Sequence, residues 1–162
     1  MNLLDHAFDL CEEEEYVEAL QCYDKILSMD PKNIRALIDK GVTLQNLGRL
    51  EESLTLYDIA LKINPKNSDA MINKGSALHS LGKFREAINL YDKVIALDKK
   101  CAIALAYKGL SLGELDEIQE ALQYFKKALE IDMDYDLAHL NKKMAQDLLK
   151  SKIMKLNKSK IQ

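Results

Sequence analysis

Tryptophan is absent from the 162 residues, proline occurs twice, glycine six times, and aromatic side chains make up only 6% of the chain. So little Pro and Gly, beside abundant Leu, Ala, Glu and Lys, excludes collagen-like and low-complexity chains and favours helix throughout. No apolar stretch approaches membrane-spanning length. The opening MNLLDHAFDLCEEEE has no basic region and turns acidic at once, unlike a secretion signal, so the expected location is cytoplasmic. Cys11, Cys22 and Cys101 are odd in number and form no CxxC pair, which fits buried free thiols better than disulfides. A net charge of −3 argues against general nucleic-acid binding.

Charge is unevenly placed. Residues 1–33 carry nine acids against two lysines, whereas 136–162 carry seven lysines against Asp136 and Asp147. The head is acidic and the tail basic.

The chain repeats itself. YDKILSMDPKN at 23–33, YDIALKINPKN at 57–67 and YDKVIALDKKC at 91–101 are spaced by 34 residues. The same interval separates Gly41, Gly75 and Gly109, the lysines before them (Lys40, Lys74, Lys108), and the series Tyr23, Tyr57, Tyr91, Phe125. Such a period marks a stacked array. Four copies follow, at 1–33, 34–67, 68–101 and 102–135, each with two helical patterns around a break such as Leu47-Gly48. Helices of about 14 residues are marginal alone in water, so stacking on neighbours must stabilise them. Gly41 with Ser53, Gly75 with Ala87, and Gly109 with Ala121 are expected at the crossing of each antiparallel pair, where a missing side chain permits close approach. Ala19, Ala60 and Ala128 are assigned to the same packing. Within 136–157, Leu137, Leu140, Met144, Leu148 and Ala145 form a stripe expected to face inward as a capping helix, leaving 158–162 as an irregular tail.

The segments KGVTLQNLGRLEESLTLYDIALKINPKN at 40–67 and KGSALHSLGKFREAINLYDKVIALDKK at 74–100 resemble the tetratricopeptide repeat, a helix-turn-helix unit of 34 residues. The resemblance spans about 135 of the 162 residues. It implies an all-α fold: a right-handed α-solenoid of four helix-turn-helix repeats with a C-terminal capping helix, in a single domain over 1–157. Departures fall at Ala7 and Glu14 in the first copy, Lys99 in the third, and Asp116 and Met133 in the fourth; end copies of an array are commonly atypical.

Chemistry is hard to find. His6, His79 and His139 have no ligand spacing. Asp132-Met133-Asp134-Tyr135-Asp136 begins like a calcium loop, yet its sixth position is Leu137 and its twelfth Lys143, where the mechanism requires Gly and Glu. No phosphate-cradling, dinucleotide or nucleophile-elbow motif occurs. Neither a catalytic residue, nor a metal site, nor a cofactor is expected, and an enzyme is not.

The resemblance places a groove on the first helix of each pair. Position by position it would present Arg35, Ile38, Asp39, Val42 and Asn46; then Asp69, Ile72, Asn73, Ser76, His79 and Ser80; then Ile103, Ala106, Tyr107 and Leu110. Mixed polar and aliphatic character suits capture of a protein or peptide segment, making the chain an adaptor. Relatives that clamp the carboxylate of heat-shock chaperone tails use Lys, Asn, Asn, Lys and Arg. Here those positions hold Leu4, Phe8, Asp39, Asp69 and Asn73, or one copy later Ile38, Val42, Asn73, Ile103 and Tyr107. The cations are missing, so that ligand is not expected. Two alternatives stand beside the adaptor: a homo-oligomeric scaffold joined through the acidic head and basic tail, and membrane-surface attachment through Lys150–Lys160 with Leu149, Ile153, Met154 and Leu156.

Overall fold

The computed structural model describes residues 2–159, with side chains through Lys150. Nine α-helices and no strands occur among the described residues: α1 Leu3–Glu12, α2 Tyr16–Met29, α3 Ile34–Asn46, α4 Leu50–Ile63, α5 Ser68–Ser80, α6 Phe84–Leu97, α7 Ala102–Glu114, α8 Ile118–Ile131 and α9 Asp136–Ser159. The all-α class expected from the sequence is the class found. The helices fall into two compact units, residues 1–83 (α1–α5) and 84–162 (α6–α9).

Two kinds of turn recur. Inside each pair, Glu14, Gly48, Gly82 and Asp116 have φ of 61°, 73°, 74° and 66°. Each closes the preceding helix in the same way. The next residue's N–H reaches back five residues (Glu15 to Leu10, Arg49 to Leu44, Lys83 to Leu78, Glu117 to Leu112, at 2.8–2.9 Å). The left-handed residue itself donates three residues back. This pair of bonds satisfies carbonyls that the helix end leaves open. Glycine occupies that conformation without strain, whereas Glu14 and Asp116 hold it against the steric preference of an L-residue.

Between pairs, an Asx side chain holds the turn, and at the first two of these turns an asparagine caps the next helix. Asp30, Asn64, Asp98 and Asp132 each accept from the backbone N–H two residues on, at 2.9–3.2 Å. Asn33 and Asn67 then accept from Ala36 N and Ala70 N at 3.0 and 2.7 Å. Such caps fill one of the orphan donors at a helix start. The aspartate run 132–136 is thus a turn, and Cys101 stands in a cap position with no side-chain cap bond.

In the first unit α1, α3 and α5 form one layer, with α3 touching both others, while α2 and α4 form the second. Its core includes Ala7, Leu10, Ala19, Tyr23, Ile26 and Ala36. In the second unit α7 packs on α6, α8 and α9. Ile88, Leu112, Ile118, Ala121, Phe125 and Ala145 make one cluster there, and Leu105, Ala106, Ala128, Leu129 and Ala138 another.

The assigned packing residues Ala19, Ser53, Ala60, Ala87, Ala121 and Ala128 are all 0% exposed, and Gly41, Gly75 and Gly109 are buried. Gly41 and Gly109 nevertheless meet a different group than expected. A Cβ on Gly41 would lie 2.5 Å from Cε1 of Tyr57, and one on Gly109 would lie 2.7 Å from Cε1 of Phe125. The missing side chain makes room for the aromatic ring one turn beyond Ser53 or Ala121.

The capping stripe is also corrected. Helix α9 buries Ala138 and Ala145 and half-buries Leu137, Asn141 and Leu149, while Leu140, Met144 and Leu148 are 58%, 60% and 43% exposed. Alanines let α9 approach closely; Leu140 turns outward, while Met144 and Leu148 edge a cavity against α7 and α8 and stay partly open to solvent. The helix runs to Ser159. The remaining tail, 160–162, lies outside the described residues, as do the side chains of the basic stretch beyond Lys150.

Candidate functional site

On the layer formed by α3 and α5 the first unit carries a groove of about 520 Å3, lined by Ile34, Arg35, Ile38, Asp39, Val42, Asn67, Asp69 and Asn73. Asn33 and Asn67 fix where the two helices start, and helical spacing then brings Arg35, Ile38, Asp39 and Val42 of α3 beside Asp69 and Asn73 of α5. The Arg35 Nε to Asp39 Oδ2 distance is 3.5 Å, with the arginine side chain 64% exposed. Asn73 donates its Nδ2 to the Asp69 carbonyl at 3.0 Å.

Burial pushes the Asp39 carboxyl above its ordinary range, outweighing the attraction of Arg35, and the Asp69 charge adds to the rise. The groove therefore holds a half-buried carboxylate that is poorly compensated. Below it, Thr43 Oγ1 donates to the Asp39 carbonyl at 2.9 Å and lies 3.2 Å from Cys11 Sγ.

Of the candidates read from the sequence, the structure brings Arg35, Ile38, Asp39, Val42, Asp69 and Asn73 together. Asn46, Ile72, Ser76 and His79 lie on the same two helices outside that lining. Ile38 is only 7% exposed, so it offers an edge to the groove and its bulk to the core. Tyr107 and Leu110 belong to the second unit. Tyr107 stacks at a tilt on Tyr91, with ring centroids 5.9 Å apart. Leu110 borders an apolar cavity of about 300 Å3 with Gly109, Gly113, Met144 and Leu148. Ala106 is fully buried and presents nothing.

Sequence reasoning missed Ile34 and Asn67, which sit at the helix starts where cap and groove coincide. It also missed a set of ion pairs. Lys40, Lys74 and Lys108 reach Asp24, Asp58 and Asp92 at 2.5, 2.5 and 2.6 Å, each joining the second helix of one repeat to the first helix of the next. The signal was present: both partners recur at 34 residues, and they stand 16 apart in every case. Lys108 is the most enclosed, 7% exposed, donating also to Tyr124 Oη at 2.8 Å and lying over that ring.

Among the described residues no group of three or more His, Cys, Asp or Glu is placed to hold a metal ion, and no helix is long and apolar enough to cross a membrane.

Two tetratricopeptide repeat models match the chain, over residues 33–100 and 72–136, together 104 of its 162 residues. Among curated proteins no significant match is found. Solved structures with the same fold include MamA residues 41 to the end from Desulfovibrio magneticus RS-1, 21% identical with a TM-score of 0.75, covering 97% of this chain and 94% of that one. A tetratricopeptide repeat protein from Parabacteroides merdae is 24% identical with a TM-score of 0.76, covering 92% of this chain and 59% of that one. The first repeat domain of Spaghetti (RPAP3), solved bound to the HSP90 peptide SRMEEVD, is 22% identical with a TM-score of 0.69, covering 74% of this chain and 95% of that one. Eight helices at a 34-residue period followed by α9 among the described residues, the two family matches and these folds converge: the chain belongs to the tetratricopeptide-repeat family.

Proposed function

We propose that this protein is a non-catalytic adaptor that holds a peptide or protein segment in the α3–α5 groove. Repeats of this family serve generally as protein-interaction modules, and one neighbour of the same fold carries a bound peptide. The observation that supports this most directly is the groove itself, about 520 Å3 across two helices, with aliphatic and hydrogen-bonding groups side by side. A mixed lining of this kind gives both burial and orientation to a bound segment. Site-specific photo-crosslinking tests it. A crosslinker at Val42 should trap a partner that one at the exposed Lys62 does not, and Asn73→Ala should reduce the yield. Equal trapping from both positions would refute the assignment.

Self-association is a second reading, favoured by the exposed row Leu140, Met144 and Leu148 on α9 beside Lys142 and Lys143. The occupant it fits is the acidic α1 of another copy, which exposes Phe8 between Asp5 and Asp9. Light scattering should show a mass that rises with concentration and falls with salt or with Met144→Glu. A monomer at every concentration and ionic strength would remove this reading.

A further inference from the structure

The groove has a sign. Its lining contains two carboxylates, Asp39 and Asp69, and one cation, Arg35, leaving it one charge negative. Arg35 is no fixed counter-ion: it meets Asp39 at 3.5 Å from a side chain 64% exposed, a geometry weak enough to exchange for another cation. Asp69 projects from the first turn of α5 and is exposed, close enough for its charge to act on Asp39. Ile34, Ile38 and Val42 supply an aliphatic wall along the same cavity. Asn73 spends its Nδ2 on the Asp69 carbonyl, so its Oδ1 is left to accept from a backbone N–H of a bound chain.

We propose that this groove takes an extended peptide segment through a lysine or arginine side chain seated between Asp39 and Asp69, with an aliphatic side chain two residues along resting on Ile38 and Val42. The inference rests on the groove assignment above and names its ligand class. In an extended chain residues i and i+2 face the same side, so one cation and one aliphatic group in that register meet both halves of the lining. The ligand is an internal segment, because the groove carries no surplus of positive charge to hold a terminal carboxylate.

The probe is a degenerate library of octapeptides, acetylated and amidated so that only side chains carry charge. The intact protein should enrich Lys or Arg at one position and Ile, Leu or Val two residues away. By fluorescence anisotropy, the enriched peptide should lose affinity at least tenfold in Asp39→Asn/Asp69→Asn and weaken with added salt. Asp69→Lys should shift the selection toward acidic residues. Circular dichroism melts of each variant show that the fold is retained; the carboxamide pair keeps the test alive if the lysine variant unfolds. Enriched peptides without basic bias, lost in Val42→Arg but indifferent to the carboxamide pair, would overturn the charge inference and leave the groove standing. Binding indifferent to Val42→Arg and Asn73→Ala as well would overturn both.

Discussion

Helix α7 contains two glycines one turn apart, Gly109 and Gly113, that make opposite predictions for the same substitution. Replacing a helical glycine by alanine ordinarily stabilises by roughly 0.5–1 kcal/mol through backbone entropy. At Gly113 a Cβ meets nothing within 4 Å, so Gly113→Ala should realise that gain. At Gly109 the new Cβ would lie 2.7, 2.9 and 3.1 Å from three carbons of the Phe125 ring. Phe125 is 2% exposed and packed with Ile118, Ala121 and Ala145, so its ring clears the new methyl only by shifting against those contacts toward the adjoining cavity. Overpacking of this kind costs about 1–3 kcal/mol. The net for Gly109→Ala is a loss of up to about 2.5 kcal/mol, and because the entropic gain is common to both sites the two variants should differ by the overpacking cost, about 1–3 kcal/mol. With no Trp in the chain, urea and thermal unfolding followed by circular dichroism are the suitable assays, and the Tm gap should be about 2–12 °C at this chain length. Gly109→Ala/Phe125→Leu should recover part of the loss by removing ring atoms from the collision. If Gly109→Ala stabilises as much as Gly113→Ala, helix propensity alone governs these sites and the ring-accommodation argument is wrong.

Four further outcomes are expected. Glu14→Gly relieves a left-handed residue and Cys101→Asn restores the cap found at Asn33 and Asn67; each should raise stability by about 0.5–1 kcal/mol in urea titrations, and no gain from either would refute the turn analysis. Lys108→Met should cost about 1–2 kcal/mol, because Lys108 is enclosed while Asp92 can rehydrate, whereas the more exposed Lys74→Met should cost under about 1 kcal/mol; equal losses would show that enclosure is irrelevant. Burial holds the phenols of Tyr23, Tyr57 and Tyr91 above their ordinary pKa; a raised folded pKa means their stabilisation is intact below about pH 10 and lost above it, at about 1.4 kcal/mol per pH unit for each tyrosine. Absorbance at the phenolate band should show those three ionising together with unfolding. Asp39 is an acid whose folded pKa is raised, so its charge opposes folding at neutral pH and that cost disappears as pH falls below about 3.9. Asp39→Asn should therefore melt higher than the parent at pH 7, with the difference closing in acid.

Much of this architecture is written plainly in the chain, because a 34-residue interval fixes helix number, turn position and phase together. Departures from the repeat were legible as departures, but only backbone geometry reveals that Glu14 and Asp116 adopt the conformation of Gly48 and Gly82. What stayed hidden involves partners distant in sequence or small in volume. The Lys–Asp bridges join residues 16 apart, beyond any single helix's periodicity. In α9 the expected stripe includes Ala145 and Leu137, which do face inward, but its larger members Leu140, Met144 and Leu148 stay exposed, and Ala138, outside that stripe, is selected by close approach. The groove was half visible for a similar reason. Arg35, Asp39, Asp69 and Asn73 follow from the family resemblance carried over position by position, yet Ile34 and Asn67 enter it only because their helices start side by side.

The bridges have a consequence for how such a chain changes length. Asp24 meets Lys40 as Asp58 meets Lys74, and Asn33 caps its helix as Asn67 caps the next. Excising residues 34–67 would bring Asn33 onto Ser68 and set Asp24 sixteen positions before Lys74, rebuilding the same coupling at the new joint. Tyr57 and its accommodating Gly41 would leave together. The second copy is thus a removable link whose fittings match at both ends, so its in-frame loss would leave the joint's cap and ion pair in place.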